Sequence, residues 1–208
     1  MRLALLLAVM PGLPAAPTGA QDSDPSRLRL AMPSFVTASY GTAGSATIYA
    51  GYSLGPGAFA VGMVVNPRTG YRELLIGAVT RAVLGRQSVA VAVAIADASE
   101  SPYLQGYLMP SLAVGGVSIS GTVELYQPLG AGGTRQFDLS PVRAVLPVCE
   151  GLQIGGVYTL GLAQGQAPSQ RAGPVVQVGI PRGVIIAELR RNLVRARPEL
   201  RVTVETAF

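Results

Sequence analysis

The sequence predicts an all-β chain, an antiparallel up-and-down transmembrane β-barrel of about 12 strands, with 10 strands as the alternative. Short runs that alternate apolar and polar residues follow one another from Met32 to Phe208, each bounded by Gly, Pro, Ser or Asn. Hydrophobic residues make up 49% of the chain and charged residues 13%. After the first 20 residues there is no uninterrupted apolar run of about 18 residues, so the apolar content predicts no membrane helix. A lipid-facing sheet accounts for both values, because every second residue of each strand is then apolar.

The alternating runs place the strands. They are predicted at residues 34–40, 45–54, 58–65, 72–84, 88–96, 103–112, 117–126, 136–145, 152–163, 174–180, 184–190 and 200–208. Two stretches are ambiguous. Pro141 and Pro147 would remove ladder hydrogen bonds from a central strand. Residues 185–197 also fit a helix with Ile186, Leu189 and Leu193 on one side, and losing such strands gives the alternative of 10.

The connections alternate in length along the chain. Tight turns are predicted at residues 54–57, 85–87, 114–116 and 181–183, and longer polar connections at 66–71, 97–102, 127–135, 164–173 and 191–199. Membrane barrels have short turns at one end and longer loops at the other, and an even strand number brings both termini to the turn end. A soluble sandwich has no reason to alternate in this way, so the pattern favours the membrane barrel.

The two parities of each strand predict a lipid face and an inner face. In the strand at 88–96 one parity holds Val89, Val91, Val93 and Ile95, and the other holds Ser and Ala. We expect the branched side chains to contact lipid and the small ones to line a lumen. Twelve strands lined by small residues leave internal space, unlike an eight-stranded barrel. The alternative is that residues 21–30 fold back and plug this space.

Charged residues of the inner parity are the candidate lumen lining. They are Glu73, Arg81, Glu124, Asp138, Glu188, Arg190, Arg201 and Glu205, with Arg143 as a further candidate. Glu188 and Arg201 fit a cross-strand ion pair. Because acids and arginines nearly balance, the lining does not predict strong ion selectivity.

A cluster of arginines lies in the last predicted connection. Arg190, Arg191, Arg195 and Arg197 are the candidates for an external loop that binds the phosphates of lipopolysaccharide, because guanidinium groups bind phosphate in a bidentate manner. A solvated loop with no ligand is the alternative.

Several kinds of chemistry are excluded or unsupported. The chain has no His, and all 16 basic residues are Arg, so Ser-His-Asp, Cys-His and Ser-Lys machinery cannot form. Glu73, Glu124, Glu188 and Glu205 could supply a carboxylate pair but show no motif, so we predict no enzyme. Cys149 is the only cysteine, and we expect neither a metal nor another cofactor. The arginines are scattered, which does not indicate a nucleic-acid partner.

The N-terminal residues have the pattern of an export signal. Arg2 precedes the apolar run from Leu3 to Met10, and Thr18, Gly19 and Ala20 are the small residues of a cleavage site. We therefore expect a signal peptide at 1–20, a flexible segment at 21–31 and the barrel at 32–208.

The last nine residues alternate strictly. Leu200, Val202, Val204, Thr206 and Phe208 share one parity, and polar residues occupy most of the other. This stretch resembles the C-terminal signal strand of bacterial outer-membrane β-barrel proteins, although Thr206 stands where that family more often has a larger apolar residue. The resemblance implies that Phe208 is the signal read by the barrel assembly machinery. It also implies outer-membrane lipid and lipopolysaccharide as partners, and the bacterial outer membrane as the location.

These observations together predict a passive narrow channel for ions or small solutes. Two other functions stay open: a plugged structural or interaction barrel that presents external loops, and a soluble secreted β-barrel that binds an apolar ligand.

Overall fold

The computed structural model describes residues 27–193 and 198–208. The predicted signal peptide and residues 21–26 of the N-terminal segment lie outside the described residues. The described strands are β1 (Arg29–Leu30), β2 (Phe35–Gly41), β3 (Ala46–Ser53), β4 (Gly57–Asn66), β5 (Tyr71–Leu84), β6 (Gln87–Ala98), β7 (Pro102–Val114), β8 (Val117–Ser120), β9 (Val123–Pro128), β10 (Gln136–Cys149), β11 (Leu152–Ala163), β12 (Ser169–Ile180), β13 (Gly183–Asn192) and β14 (Pro198–Ala207). No helix of the described residues is long and apolar enough to cross a membrane.

The sheet closes into a barrel with twelve positions around its wall. Consecutive strands pair antiparallel, and β14 pairs with β2 through Thr203 and Ser39, which leaves no open edge. β8 and β9 follow each other in one wall position, since both pair with β7 on one side and β10 on the other. The prediction of twelve strands is confirmed, and the alternative of ten is wrong. The two-residue β1 pairs with the end of β5, through Leu30 and Ala82, and is not part of the wall.

The two ends of the barrel differ in their connections. At the turn end, which also holds Phe35 and Phe208, neighbouring strands are joined by two or three residues. Each of these turns contains a residue with positive φ, for example Gly85 at 60° and Arg182 at 64°. At the loop end the connections are three to seven residues long, and 129–135 is the longest in the described part of the chain.

Two predicted loops are too long. β12 begins at Ser169 rather than Pro174, and β14 begins at Pro198 rather than Leu200. The sequence pattern placed Arg171 and Glu199 in loops because they are charged. In the barrel both lie on the inward parity of their strands and pair with each other, and charge is compatible with a strand at such positions.

Two ambiguous stretches resolve as strands. β10 stays central despite Pro141 and Pro147, because its register shifts between Leu139 and Val142 and again between Pro147 and Cys149. Next to the first shift, the strand predicted at 117–126 is interrupted at residues 121–122. The helix considered for 185–197 is wrong for its described part through residue 192, which is β13.

The parity prediction for the two faces is confirmed. On β6, Val93 and Ile95 are 54% and 57% exposed, whereas Ala94 and Ala96 are buried. The outward side chains of the other wall strands are also mostly apolar and exposed, as a barrel needs where it contacts lipid. Polar side chains are instead concentrated inside, and there the candidate site lies.

Candidate functional site: the lumen

The barrel encloses a cavity of about 1180 Å³. Its lining includes Met32 and Arg182 at the turn end, and Glu100, Thr134 and Gln166 at the loop end. The cavity therefore extends between the two ends of the barrel, and the inward parity of the wall strands supplies its surface.

The structure places the predicted lumen residues on this inward parity. Those that line the cavity are Glu73, Arg81, Glu124, Asp138, Arg143, Arg190, Arg201 and Glu205. Glu188 has the same parity but is fully buried beneath its neighbours. These side chains do not form one cluster; most of them belong to one of two walls, each with its own hydrogen bonds.

The first wall, here called the tyrosine wall, comprises Tyr71, Glu73, Tyr103, Gln105, Tyr107, Glu124 and Tyr126 on β5, β7 and β9. The Glu73 carboxylate accepts hydrogen bonds from the Tyr71 hydroxyl and from Gln105 Nε2, the latter at 2.9 Å. The Tyr107 hydroxyl donates to the Gln105 amide oxygen. Between β5 and β7, the inward residues of β6 are alanines such as Ala96, which leave room for this contact.

Aromatic contacts continue the tyrosine wall onto β9. The Tyr126 ring meets Tyr103 edge to face, with centroids 6.3 Å apart and an interplanar angle of 88°. It also meets Tyr107, at 6.5 Å and 75°. The Tyr126 hydroxyl donates to Glu124. These contacts fix the ring positions, so the wall is a preorganised surface.

Tyr49, on β3, extends this aromatic surface because the next strand offers a glycine. Its ring lies over Gly62, where an added Cβ would come within 2.2 Å of Tyr49 Cδ1. An aromatic ring that covers a cross-strand glycine is a recurrent way to complete a β-sheet. Any side chain at Gly62 would push the Tyr49 ring further into the lumen.

The second wall, here called the arginine wall, comprises Arg143, Arg171, Glu188, Arg190, Glu199, Arg201 and Glu205 on β10, β12, β13 and β14. Arg143 Nε lies 2.6 Å from Glu188 Oε1, and Arg190 binds the other Glu188 oxygen. Arg143 Nη1 is also 3.9 Å from Glu205. Glu188 is opposite Arg201 in the ladder, but the predicted pair is wrong, because Arg143 and Arg190 occupy both carboxylate oxygens.

Arg201 and Arg171 complete the arginine wall. Arg201 Nη2 donates to Ser39 Oγ at 2.8 Å, across the β14–β2 seam. Arg171 pairs with Glu199. Sequence reasoning missed this pair, because both residues were assigned to loops. It also missed the inward tyrosines, although Tyr103, Gln105 and Tyr107 share one parity, which was the available signal.

Two predicted lumen residues lie outside both walls. Arg81, near the turn end, donates from Nη2 to Ser88 Oγ at 2.9 Å. Asp138, on β10 beside the tyrosine wall, accepts from Gln136 Nε2 at 2.6 Å. Its other carboxylate oxygen is buried and has no hydrogen-bond partner among the described residues.

The tyrosine wall faces the part of the arginine wall on β13 and β14 across the lumen, whereas β10 of the arginine wall is the direct neighbour of β9. In the closed twelve-position order, β6 lies six positions from β13 and β7 lies six positions from β14. The strands of the tyrosine wall are therefore opposite those that carry Arg190 and Arg201. The uncompensated charge of the tyrosine wall is negative, from Glu73 and Glu124, and that of the arginine wall is positive.

The other predicted site residues lie at the two ends. Arg190 belongs to the lumen rather than to an external loop, because its side chain points inward to Glu188. Arg191 is exposed at the loop end of β13, and Arg195 and Arg197 lie outside the described residues. Phe208 is 68% exposed at the turn end, and its backbone N–H donates to Ser34 O at 2.9 Å.

Other chemistry finds little support in the described part of the chain. No group of three or more Asp, Glu or Cys side chains between residues 27 and 193 or 198 and 208 is arranged to hold a metal ion. Cys149 is free and exposed.

A closed antiparallel barrel with an apolar outer surface and a charged interior is the architecture of a transmembrane β-barrel. No protein-family model matches the chain, and no curated protein matches it in sequence. Solved structures of porins share its fold. The KdgM porin aligns with a TM-score of 0.59 at 10% identity, over 85% of this chain and 99% of that one. The NanC porin aligns with a TM-score of 0.55 at 11% identity, over 84% and 98% of the two chains.

Proposed function

We propose that the protein is a passive channel of the bacterial outer membrane that admits ions or small polar solutes. One observation carries the proposal: a cavity lined by charged and hydroxyl side chains extends between the two ends of a closed barrel. Passive conduction needs a continuous polar path whose binding sites are weak enough to release the solute. The porin fold of the neighbours and the apolar outer surface support the same function.

The size of the cavity limits what can pass. Its volume of about 1180 Å³ is distributed along the whole barrel and is only slightly above the range of typical single small-molecule pockets, about 300–1,000 Å³. Tyr49 and the tyrosine wall reduce the width near mid-height. We therefore expect solutes the size of an amino acid or a monosaccharide to pass, and larger oligosaccharides to be retained.

Liposome swelling tests the channel. Purified protein is reconstituted into liposomes, which are then diluted into isotonic glycerol, glucose or a trisaccharide. We expect swelling that slows steeply as solute size increases, and no swelling above protein-free liposomes for the trisaccharide. Swelling no faster than in protein-free liposomes for every solute would contradict the proposal.

A plugged barrel is the second candidate, and the N-terminal segment is its proposed plug. In the described part of that segment, residues 27–31 are exposed and β1 pairs with the end of β5 at the turn end. Met32 packs near Ala58 and Val79 at the mouth of the lumen. If the barrel is a channel, deleting residues 21–31 leaves the swelling rates unchanged within about twofold. A large gain in rate would favour the plugged barrel.

The soluble barrel with an apolar ligand is the least supported alternative. Large apolar side chains such as Ile76, Ile95 and Leu108 are exposed on the outer surface, whereas the interior carries charges. A soluble carrier of apolar ligands needs the reverse arrangement.

Two contacts with the cell envelope belong to the same proposal. We propose that Phe208 is recognised by the barrel assembly machinery, which its exposed position at the turn end allows. We also propose that Arg191 contributes to binding lipopolysaccharide phosphate at the loop end, together with Arg195 and Arg197. Outer-membrane lipid is the remaining partner and contacts the apolar outer surface.

A further inference from the structure

Arg201 and Glu124 are lumen charges of opposite sign, and neither has an ionic partner among the described residues. Glu73, Asp138 and Arg81 share that property, but Arg201 is the unpaired charge of the arginine wall. Arg201 donates a hydrogen bond to the hydroxyl of Ser39, and Glu124 accepts one from the hydroxyl of Tyr126. Among the described residues, no carboxylate lies within 4.0 Å of the Arg201 guanidinium, and no guanidinium lies within 4.0 Å of Glu124. The other carboxylates of the arginine wall are already paired, Glu188 and Glu205 with Arg143, and Glu199 with Arg171.

These two charges lie at similar heights on opposite sides. Arg201 is six residues from the turn-end residue of β14, Ala207, and Glu124 is seven residues from that of β8, Val117. Four wall strands, β10 to β13, separate β9 from β14 around the shorter arc. Both side chains line the same cavity.

The gap between these charges has the chemistry of a receptor for a dipolar solute. A carboxylate accepts two hydrogen bonds from a guanidinium, and an ammonium group donates to a carboxylate. A solute that carries both groups offers a partner to each of these two charges. A simple anion is attracted to Arg201 but repelled by Glu124. A simple cation is attracted to Glu124 but repelled by Arg201. Neither ion therefore binds as favourably as a zwitterion.

We propose that the lumen selects small zwitterionic solutes that carry an ammonium and a carboxylate group, with Arg201 and Glu124 as the residues that determine specificity. This inference rests on the proposed channel function and names its substrate class. The contacts lie in a hydrated lumen and are individually weak, so they raise the occupancy of the solute without trapping it.

Alanine and lactamide are the matched probes. They are isomers of equal mass and nearly equal size, but alanine is a zwitterion and lactamide is uncharged. We expect liposomes that contain the protein to swell about fivefold faster in isotonic alanine than in isotonic lactamide. This ratio corresponds to the combined free energy of two weak charge contacts. Protein-free liposomes give the background rate for each probe.

Three variants assign the effect to the two residues. Glu124→Gln and Arg201→Gln each remove one charge, and the double variant removes both. We expect the alanine-to-lactamide ratio to fall to about 1 in the double variant. Arg86→Gln, at an exposed turn outside the lumen, is the control and keeps the full ratio. Heat-modifiable migration on a detergent gel verifies that each variant is folded.

The outcomes separate the two proposals. Swelling in lactamide with no faster swelling in alanine would overturn the zwitterion inference and leave the channel intact. A ratio that survives the double variant would overturn the assignment to Glu124 and Arg201. Swelling in neither probe would overturn the channel proposal, and the inference with it.

Discussion

Glu188 is the most enclosed charge of the lumen, and its surroundings set the cost of removing it. The side chain has no exposed surface and is bound by Arg143 and Arg190. Removing one partner from a buried ion pair leaves uncompensated charge, which costs about 3–5 kcal/mol. Without the Glu188 carboxylate, the guanidinium groups of Arg143 and Arg190 would lose their shared ionic partner, although Arg143 still has Glu205 at 3.9 Å.

We therefore expect Glu188→Gln to lower the free energy of unfolding by about 3–5 kcal/mol. Urea unfolding in liposomes, followed by the folded band on an unboiled gel, measures this. Glu205→Gln is the matched control, because that carboxylate is 43% exposed and its contact is long, so the loss should stay below about 1 kcal/mol. Equal effects of the two substitutions would contradict the account of the arginine wall.

Val91 and Ala92 test the two faces at adjacent positions. Val91 is exposed on the outer surface and Ala92 lines the cavity. Arg at position 91 should destabilise the barrel by about 2–4 kcal/mol if the residue lies near the bilayer midplane. Ala92→Arg should fold but slow solute flux. The pair Ile119→Arg and Ser120→Arg repeats the comparison on β8. Similar stability losses at both parities would show that the outer face does not contact lipid.

At the residue scale, parity identified inward positions, but it could not identify partners. Glu188 was predicted to pair with its ladder neighbour Arg201, yet it binds Arg143 three strands away. The curvature of a closed wall brings inward side chains of distant strands together, and no sequence spacing encodes that distance. The Glu73 to Gln105 bond was missed for the same reason, because it spans β6.

Among the elements, β14 closes the barrel, and the residue that follows it is the proposed assembly signal. It closes the barrel against β2, and its outward residues, including Leu200 and Val204, are exposed apolar side chains. Phe208 contributes one backbone hydrogen bond, to Ser34, and most of its ring surface is free. Its loss should therefore change the stability of the finished barrel only slightly.

We expect a chain that ends at Ala207 to reach the outer-membrane fraction of cells at a level at least about fivefold lower. Its folding into detergent micelles in vitro should be nearly unchanged. An exposed aromatic side chain contributes less to the stability of the barrel than the roughly 1.5–3 kcal/mol of a fully buried one. Immunoblotting of fractionated membranes measures the first quantity and gel migration the second. Phe208→Tyr, which keeps an aromatic ring, is the control. Unchanged membrane levels without Phe208 would remove its proposed role.

All twelve wall strands could be predicted at this scale, because alternation of period two survives wherever one face meets lipid. The ends of these strands were harder to predict from the sequence. Arg171 and Glu199 were predicted to lie in loops because they are charged. A charged residue fits a strand of this barrel only where its side chain points inward, and the sequence did not show that these two do. The interruption between β8 and β9 lies beside the bulge at Pro141, and that cross-strand effect is invisible along a single run of residues.

For the whole molecule, the sequence predicted a lumen from strand number and small inward residues. It did not predict that the arginines would gather with paired carboxylates on one wall, and that Glu73 and Glu124 would lie without ionic partners on the other. That separation depends on which strands face each other after closure, and thus on the complete order from β2 to β14. The walls leave a cavity of about 1180 Å³, and the function depends on whether this space conducts.

Single-channel recording in a planar bilayer measures conduction most directly. Purified protein is added to one side in potassium chloride, with Ala92→Arg, which narrows the lumen, and Arg86→Gln, which lies outside it, as paired variants. We expect discrete openings of constant size, a conductance at least about twofold lower for Ala92→Arg, and no change for Arg86→Gln. Folded protein that inserts into the bilayer and gives no discrete openings would contradict the account.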